Sequence, residues 1–213
     1  MITKNQYGKL DFFYDYYNKE LFQGILSDCM LTTYNRRKQT GGFFINKSWK
    51  NKETKNTYIH EINLNPIYFD NDNKDWHSTL VHEMVHLWQQ DYGKPSRSSY
   101  HNKEFAEKMI EIGLMPSNTG LQGGKKTGQS MSHYIIPDGL FINIFNKLTE
   151  NEINYMASFA PVSNILEISD KSTEAKKIVS KLKYTCPCIT NIWGKPGLDI
   201  ICGRCGGKFA SEL

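Results

Sequence analysis

The stretch that decides the fold of this chain is residues 76–92, WHSTLVHEMVHLWQQDY. Its apolar residues recur at steps of three and four, a spacing that predicts a helix with one face to bury; they are Trp76, Leu80, Met84, Leu87 and Trp88. A polar run at 70–75 precedes this stretch, and Gly93 and Pro95 follow it. Because such residues begin and end helices, we expect the helix to run from about residue 76 to about residue 92.

Inside the predicted helix lies an H-E-x-x-H motif, formed by residues 82–86. His82 and His86 are separated by one helical turn, so their imidazoles stack and can reach one ion. Glu83 can reach a water on that ion without being a ligand itself. This combination suits a zinc-activated water and a carboxylate base, which together can cleave a peptide bond. The competing interpretation places these side chains on an ordinary solvated helix face.

A catalytic zinc ion takes three protein ligands and keeps one position open for water. The four histidines outside the motif are His60, His77, His101 and His133. His101 follows the turn after the first helix and starts a second helical run, 102–112, so the chain can double back and set its imidazole over the first helix. We predict His101 as the third ligand and keep His133 in reserve. His60 lies in a strand-like run and is interpreted as structural, and His77 lies off the face of the motif histidines.

The last thirty residues contain a second candidate metal site. Its cysteines form a C-x-C pair and a C-x-x-C pair separated by thirteen residues; they are Cys186, Cys188, Cys202 and Cys205. Such spacing predicts a zinc ribbon, in which two tight turns supply four thiolates to one structural ion. The first pair is one residue shorter than the usual knuckle, which strains a turn shared by both ligands, and a disulfide or redox pair is the competing interpretation. Cys29 stands alone and is interpreted as a small buried apolar side chain.

Charge is unevenly distributed along the chain. The formal net charge is +4, yet residues 171–213 contain eight Lys/Arg and three Asp/Glu, a balance of +5. A basic tail on a nearly neutral body favours contact with a polyanion such as nucleic acid, and a tail that only aids solubility is the alternative. No apolar run is long enough to cross a bilayer, and residues 1–6 have no hydrophobic signal region. We therefore expect no membrane association and a cytoplasmic location, in the host cytoplasm if the gene is viral.

The remaining patterns predict an α+β fold. Aromatic residues at helical spacing predict a core helix at 11–22, and three strand-like runs follow at 30–35, 42–47 and 57–63. A small sheet followed by the H-E-x-x-H helix is typical of zincin-like metallopeptidases. The glycine-rich stretch 120–132 is predicted to be a flexible loop, and its spacing does not fit a phosphate-binding loop.

Three parts of the chain are therefore expected. Residues 1–140 form the zincin-like domain, with a small β-sheet and active-site helices. Residues 141–183 form a helical connector that ends in an amphipathic helix at 171–183. Residues 184–213 form the small C-terminal zinc ribbon.

Several short runs in this order resemble the SprT-like metallopeptidases, a family that includes the Spartan proteases, which degrade proteins crosslinked to DNA. The runs are residues 64–66, 79–86, 88–89, 93–95 and 100–106. The spacer between the motif and His101 is residues 87–100, fourteen residues long, and it matches the separation in the family. The resemblance implies a catalytic zinc on His82, His86 and His101, with Glu83 as the base, and a structural zinc in the C-terminal ribbon.

We accordingly expect a zinc-dependent endopeptidase, a monomer that binds DNA and cleaves proteins associated with it. His133 or Tyr134 could donate a proton to an oxyanion near zinc. One alternative is a non-catalytic adaptor that binds DNA through its ribbon, against which the intact Glu83 argues. A second alternative is a zinc hydrolase that acts on something other than protein.

Overall fold

The computed structural model describes six ranges of the chain. They are residues 2–34, 40–54, 57–70, 72–153, 182–195 and 197–211. The chain divides into two compact units, residues 1–162 and residues 163–213. The predicted amphipathic helix at 171–183, and all of the predicted connector beyond residue 153, lie outside the described residues apart from 182–183. The domain boundaries at 140 and 183 stay predictions.

Two long helices supply half of the described core residues of the first unit. Helix α1 spans Ile2–Phe22 and begins nine residues before the predicted start, because its first two turns are polar and leave no apolar pattern. Helix α2 spans Asn73–Tyr92 and contains the H-E-x-x-H motif. It begins three residues earlier than predicted, since the Asp72 side chain accepts a hydrogen bond from the Lys74 backbone N–H and caps the helix.

Helix α2 is buried around most of its circumference. Of the predicted apolar stripe, Trp76, Leu80, Met84 and Leu87 are fully buried, whereas Trp88 is only partly buried. The motif residues His82 and Glu83 are buried as well. The interpretation of the motif as part of a solvated face is therefore wrong.

A three-stranded sheet packs against α2. Its strands are β1 (Cys29–Thr33), β2 (Gly42–Lys50) and β3 (Tyr58–Leu64). The order is β1-β3-β2, with β1 parallel and β2 antiparallel to β3. Ile62 and Leu64 of β3 join the core. All three strands were predicted to within a few residues, and β2 lies at an edge, with a register shift between Ile45 and Trp49.

Short elements complete the first unit. They are a 3₁₀ turn (Pro66–Asp70), β4 (Tyr100–His101), α3 (Lys103–Glu111), β5 (Leu114–Ser117), β6 (Gly128–Gln129), β7 (Ser132–Ile135), α4 (Leu140–Phe145) and α5 (Glu150–Ile153). Strand β4 pairs with β6, and β5 pairs with β7. Part of the predicted loop 120–132 is thus the strand β6, which lies beside His101. The mixed α/β class with small sheets agrees with the predicted fold class.

The second unit is a small antiparallel sheet. Its strands are β8 (Leu182–Thr185), β9 (Asn191–Gly194) and β10 (Ala210–Ser211), in the order β10-β8-β9. The buried Tyr184 hydroxyl donates to the Lys195 carbonyl at 2.6 Å and accepts from the Leu198 N–H at 3.1 Å. Among the described residues of this unit, 182–195 and 197–211, few apolar side chains are buried, as expected for a small module.

None of the described helices is long and apolar enough to span a membrane.

Candidate metal centre

Three histidine side chains converge between α2 and β4. His82 and His86 lie one turn apart on α2, with ring centroids 5.2 Å apart. His101 ends β4, which pairs with β6 through Gly128. The chain does double back after α2 as predicted, and it places His101 against the two motif histidines. Within the described residues, these three and the four C-terminal cysteines are the groups whose side chains could hold a metal ion.

The distances between the ring nitrogens fit a zinc ion. The Nε2 atom of His101 lies 3.1 Å from Nε2 of His86 and 3.3 Å from Nε2 of His82. Two ligands of a tetrahedral zinc with ordinary Zn–N bonds are about 3.3 Å apart. Because the Nε2 atom of His101 faces the Nε2 atoms of both other histidines, at most one atom of each of these two pairs could donate a hydrogen bond. The donor set and its spacing therefore suit zinc better than a hydrogen-bonded histidine cluster.

Burial keeps these histidines in the form that binds metal. It lowers the pKa of His86 to about 3, with His101 adding to the effect. Burial also lowers the pKa of His82 well below its ordinary value and lowers the pKa of His101. Neutral imidazole has the lone pair that a metal needs. At neutral pH all three side chains are available as ligands.

Glu83 lies on α2 beneath the edge strand β2. Its side chain is buried, and burial raises its pKa to about 8. The absence of a side chain at Gly42 of β2 leaves room for the Glu83 side chain. A Cβ on Gly42 would lie 3.3 Å from Glu83 Cγ and 2.8 Å from the Asn63 carbonyl oxygen. A nearby dication would favour the ionised carboxylate and bring this pKa down.

His133, the reserve ligand, lies beside the site and is not part of the ligand group. Its ring stacks on His82 with centroids 5.1 Å apart. The Ser78 hydroxyl donates to the Asp75 carbonyl at 2.8 Å, so it accepts from His133 Nε2 at 2.9 Å. Burial lowers the pKa of His133 to about 4. A neutral His133 whose single N–H is held by Ser78 has no proton for an oxyanion, which argues against that part of the sequence hypothesis.

Tyr134, His77 and His60 all lie outside the ligand group. Tyr134 alternates with His133 along β7 and so faces the opposite side of the strand. His77 is buried in the core, where its Nδ1 bonds the Tyr17 hydroxyl at 2.8 Å. His60 contacts Asp91, with Nε2 to Oδ1 at 3.5 Å, away from the ligand group.

Two phenylalanine rings line the histidine site. The sequence pattern does not predict that either ring contacts the histidines. The Phe105 ring contacts all three candidate ligands, with centroids 5.2 Å from His82, 4.3 Å from His86 and 4.6 Å from His101. Phe44 of β2 stacks on His86 at 6.1 Å. Phe105 is visible in sequence only as an apolar position of an amphipathic helix. Its contact with the ligands depends on how α3 packs on α2.

The four C-terminal cysteines also come together. Cys186 and Cys188 lie in a turn closed by the Ile189 N–H, which donates to the Cys186 carbonyl at 2.9 Å. Cys202 and Cys205 lie in a second turn, in which the Gly206 N–H donates to the Cys202 carbonyl at 2.8 Å. Their four Sγ atoms are all within 4.8 Å of one another. Two turns that present four thiols fit a tetrahedral zinc site.

The short first pair is the irregular part of this cluster. The Sγ atoms of Cys188 and Cys202 are 3.7 Å apart, close to the spacing of about 3.8 Å expected around tetrahedral zinc. The Sγ atoms of Cys186 and Cys188 are only 2.9 Å apart. That distance is too short for two zinc-bound thiolates and too long for a disulfide. The C-x-C turn must open by about 0.9 Å to hold a regular zinc ion.

The sequence profile of the SprT-like family matches residues 10–125. This match covers more than half of the chain and includes both elements that hold the three histidines. The chain belongs to the SprT-like family. A search of curated proteins found no match.

Membership of the SprT-like family bears on the histidine site and not on the cysteine site. The matched range contains His82, Glu83, His86 and His101, which supports a metallopeptidase-like domain around them. It ends before His133 and before the cysteines. The zinc ribbon therefore depends on the cysteine geometry alone.

Proposed function

We propose that this SprT-like protein is a zinc-dependent endopeptidase. The observation that carries the proposal is the approach of His101 Nε2 to within 3.1 Å of His86 Nε2 and 3.3 Å of His82 Nε2, beside the helix turn that also carries Glu83. Family membership supports a metallopeptidase-like domain in the same range. An idle metal scaffold would have no use for a buried carboxylate beside its ligands, because burying it is costly.

The residues of the site have distinct roles in this proposal. His82, His86 and His101 would hold the ion. When bound, zinc lowers the pKa of a water toward neutrality and polarises the scissile carbonyl. Glu83 would take a proton from the attacking water as the water oxygen bonds to the scissile carbonyl carbon, and would deliver that proton to the leaving amine as the C–N bond breaks. The burial of Glu83 keeps bulk water from competing for that proton.

Cleavage of an unfolded protein substrate tests this role. Glu83→Gln keeps the size of the side chain and removes the base, so we expect zinc content and fold to be retained and turnover to fall by at least about 100-fold. Product peptides are measured by mass spectrometry with equal amounts of the two proteins. Retained cleavage in Glu83→Gln, with zinc in place, would refute the mechanism.

We further propose that the C-terminal unit binds DNA, so that the substrates are DNA-associated proteins. Trp193 of β9 is 65% exposed and lies directly opposite Lys183 of β8, so the two side chains share one face. Within residues 182–195 and 197–211 there are four basic side chains and one acidic one; the basic ones are Lys183, Lys195, Arg204 and Lys208. An exposed aromatic ring beside cations suits stacking on bases with contacts to phosphate.

Binding of a fluorescent single-stranded oligonucleotide tests this second part. Trp193→Ala should weaken binding by about 5- to 150-fold, since one stacked base contributes roughly 1–3 kcal/mol. Ile201→Ala is the control, because Ile201 is also exposed but cannot stack. Equal affinities of the two variants and the wild type would contradict the assignment of this face. Cleavage without DNA binding would favour a general peptidase, and DNA binding without cleavage would favour the adaptor.

A further inference from the structure

Three polar side chains, Gln89, Asn102 and Glu104, tie the end of α2 to the start of α3; we call them the clasp. Gln89 follows His86 by three residues, so it lies near the same face of α2 as the histidines. It is only 3% exposed, and its Nε2 donates to Asn102 Oδ1 at 2.8 Å and to Glu104 Oε2 at 2.7 Å. Both amide protons of this buried side chain are thus used to join the two helices.

The clasp also holds the chain between the helices. Asn102 Oδ1 accepts from the Phe105 N–H at 3.0 Å and caps α3, while its Nδ2 donates to the Lys94 carbonyl at 3.0 Å. Glu104 Oε2 accepts from the Lys94 N–H at 2.7 Å. The residues that leave α2 and the residues that enter α3 are therefore bound by the same side chains.

Only one orientation of the two amides satisfies these partners. Reversing Asn102 would set its NH₂ against the Phe105 N–H and its oxygen against the Lys94 carbonyl. Reversing Gln89 would set its oxygen against two acceptors, Asn102 Oδ1 and the Glu104 carboxylate. Because each reversal replaces hydrogen bonds by repulsion, the clasp has a single arrangement.

Gly93 gives the clasp its space. Its φ is −111°, which any residue can adopt, so backbone freedom does not explain the glycine. A Cβ at this position would lie 2.6 Å from Glu104 Oε2 and 3.0 Å from Gln89 Cγ. The glycine after α2 therefore matters because a side chain there would push the clasp apart.

We propose that the clasp positions the third metal ligand and so sets the metal affinity of the histidine site. His101 immediately precedes Asn102, and the strand that carries it, β4, has only two residues paired with β6. Because this pairing is so short, it does not by itself fix the position of the His101 ring relative to α2. That position depends on the residues next to His101. Gln89 fixes that position from the same helix that carries His82 and His86. The inference rests on the proposed function for the identity of the ion, but it concerns binding and not cleavage.

The zinc affinity of the histidine site in the full-length chain tests the proposal. Gln89→Met keeps the length of the side chain and removes both donors, and we expect it to weaken zinc binding by about 10- to 100-fold, the usual effect of losing a group that orients a ligand. Gln90→Met is the matched control, because Gln90 makes no side-chain hydrogen bond among the described residues. Affinity is measured by chelator competition, with cobalt absorption to separate the histidine site from the cysteine site. The cysteine site serves as an internal control and should not change.

Rescue separates positioning from a general loss of stability. Gln89→Glu sets a carboxylate against Glu104 and should bind zinc more weakly than Gln89→Met, while the double variant Gln89→Glu/Glu104→Gln restores a donor between these positions and should recover part of the affinity. Each variant is confirmed as folded without zinc by circular dichroism, and Gly93→Ala replaces Gln89→Met if that variant does not fold. The proposal is overturned if Gln89→Met binds zinc as tightly as Gln90→Met, or if the double variant binds no better than Gln89→Glu. Both outcomes can be read whether or not the protein cleaves peptides.

Discussion

The two candidate metal sites differ in what holds their ligands. His82 and His86 belong to a 20-residue helix buried in the main core, and a polar clasp holds His101 beside them. The cysteines lie in two tight turns of a small sheet, where Cys205 is exposed. The ring nitrogens of the histidine site already have the spacing of zinc ligands, whereas the sulfur atoms of the C-x-C pair are too close. The fold builds the histidine site, and the metal must help to build the cysteine site.

Removing metal should therefore have its largest effect on the second unit. Structural zinc contributes about 10–16 kcal/mol to the folding of small zinc modules, far more than the few buried side chains around Tyr184 can replace. With a strong chelator, we expect amide exchange protection to be lost across 182–211 and kept in α2. Hydrogen exchange with mass spectrometry measures both regions in one sample. Amide protection that survives in the cysteine unit would show that this unit does not need metal to fold. Loss of protection from α2 would show that the histidine site does.

Truncating Phe105 should break the histidine site alone. The ring is fully buried against all three ligands, so Phe105→Ala should lower the free energy of unfolding of the first unit by about 4 kcal/mol and weaken its zinc binding. Urea unfolding and zinc titration measure the two effects. Ile112→Val, a buried change away from the ligands, is the control and should cost about 1 kcal/mol with no change in zinc affinity. Equal zinc affinity in Phe105→Ala and Ile112→Val would show that Phe105 does not contribute to zinc binding.

Glu83 should make the stability of the metal-free protein depend on pH. Burial raises its pKa from 4.5 to about 8, so the fold favours the neutral side chain. That contribution is complete below about pH 4.5 and is lost as the pH rises through about 8. Glu83→Gln stays neutral, so without metal it should be more stable than the wild type by on the order of 5 kcal/mol at pH 9, with no gain near pH 4.

Urea unfolding of the first unit in chelator at the two pH values measures this difference. Bound zinc should abolish it, because the dication stabilises the ionised carboxylate. A pH-independent gain would mean that Glu83 is not desolvated in the fold. No counterpart of this effect is expected in the cysteine unit.

A single methyl group should show how much the second cysteine turn depends on backbone conformation. Gly206 has a φ of +68°, and no atom would crowd a Cβ placed on it, so Gly206→Ala tests conformation alone. We expect a loss of about 1 kcal/mol, seen as weaker zinc binding at the cysteine site. Gly203 has the same open surroundings without the positive φ, and Gly203→Ala should change nothing measurable. Equal effects of the two substitutions would contradict the predicted turn strain.

The features that the sequence predicts are the ones set by local pattern. Helix α2, its motif and the three strands follow from the spacing of apolar residues, and the third ligand follows from the doubling back after α2 and from the family resemblance. The pattern does not predict the first turns of α1, because residues 2–9 are mostly polar and contribute no periodic apolar signal. Helical backbone there depends on continuing the buried turns that follow.

The features that the sequence does not predict arise from contacts between distant segments. Gly42 lies against Glu83, which is 41 residues later in the sequence. Gln89 bonds Asn102 across a turn, and no periodic pattern in the sequence predicts the path of that turn. The residue type of His133 makes it a candidate ligand, and its ring does stack on that of His82. Only the hydroxyl of Ser78 shows that its N–H is already engaged. Residue type identifies candidates, and packing decides their roles.

Zinc content per chain is the most direct test of two metal sites. We predict two zinc ions in the wild type, one in the double variant His82→Ala/His86→Ala, and one in the double variant Cys202→Ser/Cys205→Ser, measured by elemental analysis after gel filtration. Each remaining ion should belong to the site that was left intact. One zinc in the wild type would show that one of the two sites is wrong, and none would contradict both.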